Sequence, residues 1–181
     1  MLSQLTRIEP CRTRRSSSYA LDGRNGDAWR IAPGKTAVLA DIRGQGAITH
    51  LWMTQPNHYR ECLLKITYDN APFPSVLTPL GDFFGLGHGI VNSYQSLLFT
   101  ASTSQNNQFG GGCALNCYAR LPFRKRAVVE LINQSRERHT QYFYVDYELG
   151  NERDAQAGYF HAEFRRENPF GGWGHEIKVN T

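Results

Sequence analysis

The densest group of side chains that could do chemistry lies in segment 79–89, which reads PLGDFFGLGHG. Asp82 can accept hydrogen bonds from hydroxyl groups, His88 can donate or accept one, and the rings of Phe83 and Phe84 can stack on a sugar. The three glycines after Asp82 let the backbone bend closely around a ligand. The segment is therefore a candidate carbohydrate-binding loop. The alternative is a structural turn in which the phenylalanines fill the core and Asp82 caps a short helical turn.

Aromatic side chains elsewhere supply further candidates. Trp52 shares the predicted face of one strand with Ile48 and His50, and we include it among the candidate sugar-contacting residues. A single histidine in such a position is more often a hydrogen-bonded structural residue than a ligand-binding one. Trp29 and Trp173 lie beside turns, where a ring could stack on a sugar or anchor a loop.

Carboxylates are the groups that cleave glycosidic bonds. One carboxyl protonates the leaving oxygen while the other attacks the anomeric carbon or activates water. No pair of carboxylates in this sequence has diagnostic spacing, so we assign no catalytic residue. Segment 165–168 (RREN) ends a predicted strand and could bind hydroxyls or form ion pairs. The candidate carboxylates are Asp22, Asp27, Asp41, Asp69, Asp82, Asp146, Glu163 and Glu167.

The spacing of the cysteines and histidines predicts no metal site. The four cysteines do not form a CxxC pair, and no second half-site of Cys or His follows them. We expect reduced thiols, although Cys113 and Cys117 could meet in oxidised protein. The serines near position 17 lack the GxSxG sequence of a nucleophile elbow. We predict neither a metal nor another cofactor.

Charge and hydropathy exclude two classes of partner. Lys and Arg number 20 against 16 Asp and Glu, a formal net charge of +4, and the excess is scattered. The basic clusters 12–15 and 124–126 are best explained as solvated surface, so we predict no nucleic-acid partner. No stretch approaches the ~18 apolar residues of a membrane span, and residues 1–10 do not resemble a signal peptide. We expect a cytoplasmic protein without a membrane partner.

The hydrophobic pattern predicts an all-β fold, a sandwich or jelly roll. Alternation of apolar and polar residues recurs in short segments separated by turn signals, with almost no helical period. Segment 11–27 is predicted as an ordered loop, 104–112 as an exposed loop, and 81–89 and the extreme N-terminus as the places for a helical turn. We divide the chain into an N-terminal loop region (1–27), a jelly-roll domain (28–167) and a turn-rich connection with the start of a strand (168–181). Strands are predicted at 36–42, 47–54, 62–69, 93–100, 113–119, 126–133, 141–149 and 158–165.

Several segments in the same order resemble one known family, glycoside hydrolase family 172. Its members include difructose-anhydride synthase/hydrolases, which are α-D-fructofuranosidases, and D-arabinofuranosidases. The resemblance covers nearly the whole chain from about Arg7. It rests on RSSSY at 15–19, GRNGD at 23–27, ADI at 40–42, GAIT at 46–49 with Trp52, PLGDFFG at 79–85, NCY at 116–118, LPFRKR at 121–126, YVDY at 144–147, YFHA at 159–162 and RRENP at 165–169.

The resemblance implies two tandem jelly rolls, homo-oligomers, and retaining hydrolysis of furanosides by two glutamates without a metal. Those glutamates belong to motifs of the second jelly roll, and neither motif occurs here. We therefore expect this chain to be the N-terminal jelly roll of a furanoside-cleaving protein and to be inactive by itself. Asp82, Phe83, Phe84 and His88 match a family box expected near the sugar pocket. The alternatives are a non-catalytic sugar-binding module and a purely structural building block of an oligomer.

Overall fold

The computed structural model describes residues 8–150 and 156–166 of the 181-residue chain. Its helical elements there are one turn of helix, α1 (Leu80–Phe83), and a 3-10 turn (Gly87–Gly89). No helix in these ranges is both long and apolar enough to span a membrane. The strands are β1 (Arg12–Ser17), β2 (Trp29–Ile31), β3 (Thr36–Arg43), β4 (Gly46–Gln55), β5 (Cys62–Tyr68), β6 (Val76–Pro79), β7 (Ile90–Val91), β8 (Tyr94–Gln95), β9 (Phe99–Ser102), β10 (Gln108–Phe109), β11 (Cys113–Cys117), β12 (Leu121–Phe123), β13 (Arg126–Asn133), β14 (His139–Leu149) and β15 (Ala162–Glu163).

The strands form two principal sheets. The larger has eight strands in the order β1-β14-β4-β11-β9-β8, with β12 beside β4 and β2 beside β14. The smaller has five strands in the order β15-β6-β5-β13-β3. All these pairs are antiparallel except β15 with β6. A separate two-stranded ribbon joins β7 and β10.

The core lies between the two principal sheets. In β5 and β13 every second residue is buried, which places Leu64 and Val129 inside. Strands β4 and β14 of the larger sheet contribute Leu51, Met53 and Phe143 to the same cluster. Because each sheet buries one face against the other, the alternation in the sequence follows directly from the architecture. The predicted all-β jelly-roll sandwich is confirmed.

The first strand corrects the prediction of a loop at 11–27. β1 pairs along its whole length with β14 at the edge of the larger sheet. Its side chains are exposed or half-buried, so no hydrophobic alternation marks it in the sequence. Arg15 stabilises this edge by donating two hydrogen bonds to Asp146. Its Nε lies 2.5 Å from Oδ1, and its Nη2 lies 2.9 Å from Oδ2. Burial opposes ionisation of Asp146, but the Arg15 and His50 hydrogen bonds outweigh it and lower its pKa.

A bulge in β4 corrects the predicted face of Ile48. His50 pairs with Asp146 and Ile48 pairs with Tyr147, so β4 holds one residue more than β14 between these pairs. That residue is Thr49, and the extra position turns Ile48 into the core while His50 stays half-exposed.

The C-terminal alternation yields less strand than predicted. Of the predicted strand 158–165, only Ala162–Glu163 pairs with β6. The preceding aromatic residues pack instead, with Phe160 near Phe83 and Tyr159 stacked on Tyr68. Trp173 and the predicted start of a strand in 168–181 lie outside the described residues.

A carboxylate closes the turn after β5. Asp69, at a φ of +54°, accepts hydrogen bonds from the backbone amides of Arg124, Lys125 and Arg126 and from the hydroxyl of Tyr159. Burial alone would raise the pKa of Asp69, but these donors outweigh it and the pKa is lowered. The ionised carboxylate therefore ties the turn to the start of β13.

We expect Asp69→Ala to lower the free energy of unfolding by about 2 kcal/mol, because several donors lose their acceptor and alanine disfavours a positive φ. Asp69→Asn keeps one acceptor oxygen and tolerates the backbone conformation, so it should cost about half as much. Urea denaturation of both variants measures the difference. Equal losses would contradict this role of the charge.

A polar cluster is buried where β14 begins. His139 has no exposed surface, and its Nε2 lies 2.9 Å from Oε1 of Gln141. The ring of His58 contacts it edge to face, with 5.8 Å between centroids. Burial lowers the pKa of His139, and the neighbouring His58 acts in the same direction. The folded state therefore favours the neutral imidazole.

This pKa shift predicts a loss of stability in acid. Well above the ordinary histidine pKa of 6.5, His139 is neutral in both the folded and the unfolded chain. Its protonation then takes nothing from the free energy of unfolding. As the pH falls below that value, the unfolded chain takes up the proton more readily than the folded one, so the free energy of unfolding should fall as the pH is lowered from 6.5. His139→Gln should make the loss smaller in urea unfolding compared on either side of pH 6.5. An unchanged loss would assign it to other groups.

Candidate functional site

A cleft of about 710 Å³ opens where the loop of α1 faces the end of the chain that the structure describes. Residues of α1, the 3-10 turn, β7 and β10 line it together with Arg60 and residues 164–166. The size is suitable for a small ligand. Its chemically useful side chains are Arg60, Asp82, His88, Phe109, Phe164, Arg165 and Arg166.

Asp82 has one satisfied and one free oxygen. Its Oδ1 accepts a hydrogen bond of 3.0 Å from Nη1 of Arg60. Arg60 is held in turn by Phe164, whose ring centroid lies 4.8 Å from the guanidinium carbon. Oδ2 of Asp82 is buried and has no hydrogen-bond partner in the described part of the chain. Such an oxygen is costly to leave unsatisfied, and it lacks a donor although its side chain lines the cleft.

The electrostatics of Asp82 differ from those of the structural carboxylates. Burial raises its pKa, and the nearby Arg60 and His88 only partly oppose that change. Asp41 and Asp69, by contrast, have lowered pKa values because hydrogen-bond donors surround them. A carboxylate in a cleft whose pKa is raised, while the pKa values of the structural carboxylates are lowered, is a candidate for function rather than for stability.

The local sequence places Asp82 at the mouth of the cleft. Gly81 packs so tightly that a Cβ there would lie 2.9 Å from Cβ of Tyr59. Gly85 has a φ of +78°, and a Cβ on it would lie 2.5 Å from the hydroxyl of Tyr94. That hydroxyl also hydrogen-bonds the carbonyl of Phe84. Both glycines are therefore required by close packing of the loop against the protein, which fixes the backbone on either side of Asp82.

The predicted helical turn in 81–89 is present, and His88 lies at its exposed end. His88 has a φ of +61° within the 3-10 turn, and its side chain lines the cleft with Asp82. The structure thus brings together the two polar residues that the sequence singled out in this segment. Their proposed contact with a sugar stays a prediction.

The two phenylalanines of the same segment lie in the core and not in the cleft. Phe84 has no exposed surface and Phe83 only 7%. Both make edge-to-face contacts with Phe99, so they form an aromatic cluster inside the sandwich. Neither ring face is open to a sugar in this structure. The two rings fill the core, as in the alternative interpretation of this segment as a structural turn. Asp82, however, makes no helix-capping hydrogen bond.

Trp52 lies on a different surface, the outer face of the larger sheet. Its ring stacks on Tyr144 with 4.7 Å between centroids. Beside it, Nδ1 of His50 lies 3.1 Å from Asp146 and Nε2 lies 3.1 Å from Asn116. Trp52 does not line the cleft, and His50 is the hydrogen-bonded residue that the sequence analysis favoured.

Sequence reasoning missed the ring that the cleft does expose. Phe109 is 80% exposed and lines the cleft from β10. It lies in the segment predicted as an exposed loop, directly before three glycines. A single aromatic residue in such a polar, glycine-rich segment is a signal that could have found it. Arg60 carries no comparable signal, because only the fold brings it to Asp82.

Burial makes two of the thiols poor nucleophiles. All four cysteines are free, and three are buried. Burial raises the pKa of Cys62 to about 12 and that of Cys117 to about 11, so neither forms a thiolate near neutral pH. Within residues 8–150 and 156–166, no three His, Cys, Asp or Glu side chains are grouped as metal ligands would be.

Comparison with known proteins identifies the family. No curated protein matches the chain. A family model described as GH172 domain-like matches residues 24–145, a range that runs from the loop after β1 into β14 and includes Arg60, Asp82, His88 and Phe109. The match spans well over half of the 181 residues. The all-β architecture of the chain is the one that the resemblance implied. The chain therefore belongs to the GH172 domain-like family.

Proposed function

We propose that this GH172-like chain is a jelly-roll portion of a furanoside-acting protein, and that it binds a fructofuranoside or arabinofuranoside in the cleft around Asp82. The observation that carries the proposal is Asp82, which lines the cleft together with the exposed ring of Phe109 and whose buried Oδ2 has no partner in the described residues. A sugar offers hydroxyl donors for such an oxygen and C–H faces for such a ring.

We also propose that the chain binds without cleaving. Retaining hydrolysis needs two carboxyl groups about 5–5.5 Å apart, and inversion needs a pair somewhat further apart. Asp82 is the one carboxylate among the described residues that line the cleft. Its Oδ1 is engaged by Arg60, so an acid and a nucleophile are not both provided. Binding and orientation of the sugar are the chemistry that these residues support.

Calorimetric titration tests this function. Methyl α-D-arabinofuranoside and methyl β-D-fructofuranoside are the ligands, and methyl α-D-glucopyranoside is the control. We expect at least one furanoside to bind with a Kd on the order of 1 mM, typical of a single small ligand with few contacts. A parallel assay with 4-nitrophenyl furanosides should give no enzymatic turnover. Absence of binding by both furanosides, or turnover at an enzymatic rate, would refute the proposal.

Self-association is the second candidate function, and it rests on exposed apolar side chains. Leu97 and Phe73 project from turns, and Tyr118 and Tyr142 stand on the outer face of the larger sheet near Trp52. Tyrosine and tryptophan on a flat sheet are typical of protein interfaces. Light scattering after size exclusion tests the proposal of a homo-oligomer. A stable monomer across a hundredfold range of concentration would argue against it.

A further inference from the structure

The described residues of the cleft carry more positive charge than a neutral sugar requires. Three arginines among them line it, Arg60, Arg165 and Arg166, against the single described carboxylate of Asp82. Arg60 is paired with Asp82, and Nη2 of Arg165 lies 3.0 Å from Oε2 of Glu163. In the described part of the chain, no carboxylate forms an ion pair with Arg166. One guanidinium charge at the rim thus faces solvent and the cleft.

Arg166 occupies a special position among the three. It lines the 710 Å³ cleft and also an adjoining hollow of about 390 Å³ on the outer side of β5 and β6. Arg60 and Phe164 line both spaces as well. A substituent on a ligand held by Asp82 and Phe109 would therefore share the cleft with Arg166. The planar fork of an arginine matches the geometry of a phosphate or carboxylate group.

We propose that the furanoside bound in this cleft carries an anionic substituent, a phosphate or a carboxylate, which Arg166 receives with help from Arg165. This inference rests on the proposed function, since it names the class of sugar for the same site. The two ends of the cleft then have different tasks. The Asp82 end takes hydroxyl donors, and the Arg166 end takes the anion.

The charge distribution explains why the two ends do not conflict. Arg60 lies between Asp82 and Phe164 and neutralises the carboxylate with which it is paired. The described residues therefore place no unpaired carboxylate of Asp82 beside an anion held by Arg166. Because the guanidinium of Arg166 is exposed, the attraction is screened by salt, and its contribution to affinity is that of one partly solvated charge-assisted contact.

Titration with a matched pair of ligands tests the inference. Methyl α-D-arabinofuranoside and its 5-phosphate differ only in the anionic group, and inorganic phosphate is the third probe. We expect the sugar phosphate to bind ~10-fold more tightly than the neutral glycoside, as one charge-assisted contact at a partly exposed site would give. Raising NaCl to about 0.5 M should remove most of this advantage without changing the affinity of the neutral ligand.

Arginine variants assign the effect to its residue. Arg166→Gln should abolish most of the preference for the phosphate over the neutral glycoside. Arg24→Gln removes the same charge from a loop residue whose side chain is 87% exposed and paired only loosely with Asp22 at 3.9 Å, so it should preserve the preference. Both changes are at the surface, and thermal unfolding verifies that each variant is folded.

The outcomes separate this inference from the function on which it rests. Equal affinity for the two glycosides would overturn the anionic substituent and leave furanoside binding intact. Inorganic phosphate binding as tightly as the sugar phosphate would also overturn it, because the anion would then be held without the sugar. Failure of both glycosides to bind would overturn the inference together with the proposed function.

Discussion

Phe84→Ala is expected to lower the free energy of unfolding by about 3–5 kcal/mol, the largest single effect on stability that we predict. The ring has no exposed surface and packs against Phe83 and Phe99 in the core. Alanine would leave a cavity that the two sheets cannot close, because β9 and the loop of α1 are both held by hydrogen-bonded neighbours. Urea unfolding should show a lower midpoint with an unchanged slope.

The matched control is Phe109→Ala. It removes the same side chain from a position that is 80% exposed, so its effect on stability should stay within about 0.5 kcal/mol. The same variant should weaken furanoside binding, whereas Phe84→Ala should affect binding only through partial unfolding. Two variants with equal stability would contradict the assignment of Phe84 to the core and Phe109 to the cleft.

Asp82→Ala is expected to weaken furanoside binding at least ~10-fold, the largest effect on binding that we predict. The variant removes the acceptor for a ligand hydroxyl and releases Arg60, which is otherwise held at 3.0 Å. Asp82→Asn keeps the shape of the side chain and an acceptor for Arg60 but places an amide donor or a neutral oxygen against the ligand. It should therefore have a smaller effect, and calorimetry measures both.

The control for Asp82 is Asp22→Ala, which removes a carboxylate from an exposed loop where it accepts a backbone hydrogen bond from Arg24. It should leave furanoside affinity unchanged. Because Asp82 is costly to bury, Asp82→Ala should not reduce the free energy of unfolding by more than about 1 kcal/mol. A large loss of stability with unaltered affinity in the folded fraction would make Asp82 a structural residue.

The sequence predicted those parts of the fold that bury one face of a strand. β5 and β13 alternate without interruption because the other sheet covers every second residue. β1 escaped prediction because it is an edge strand with no fully buried side chain. The bulge at Thr49 was not predicted either, because an extra residue in one strand is defined only by its register with the partner strand.

The candidate site was predictable only in part, for a similar reason. Asp82 and His88 share one short segment with glycines, and that segment lines the cleft. The phenylalanines between them could face either way, and a sequence without its partner strands does not say which face the core will take. Arg60 and Phe109 reach the cleft through pairings distant in the chain, so local patterns give Arg60 no signal and Phe109 only a weak one.

An NMR titration of the ¹⁵N-labelled chain with methyl α-D-arabinofuranoside shows directly where the sugar binds. We expect the backbone amide signals that shift to belong to residues around the cleft, namely Arg60, Asp82, His88 and Phe109. Shifts confined to the outer face of the larger sheet around Trp52 and Tyr144, with the cleft signals unmoved, would contradict this expectation.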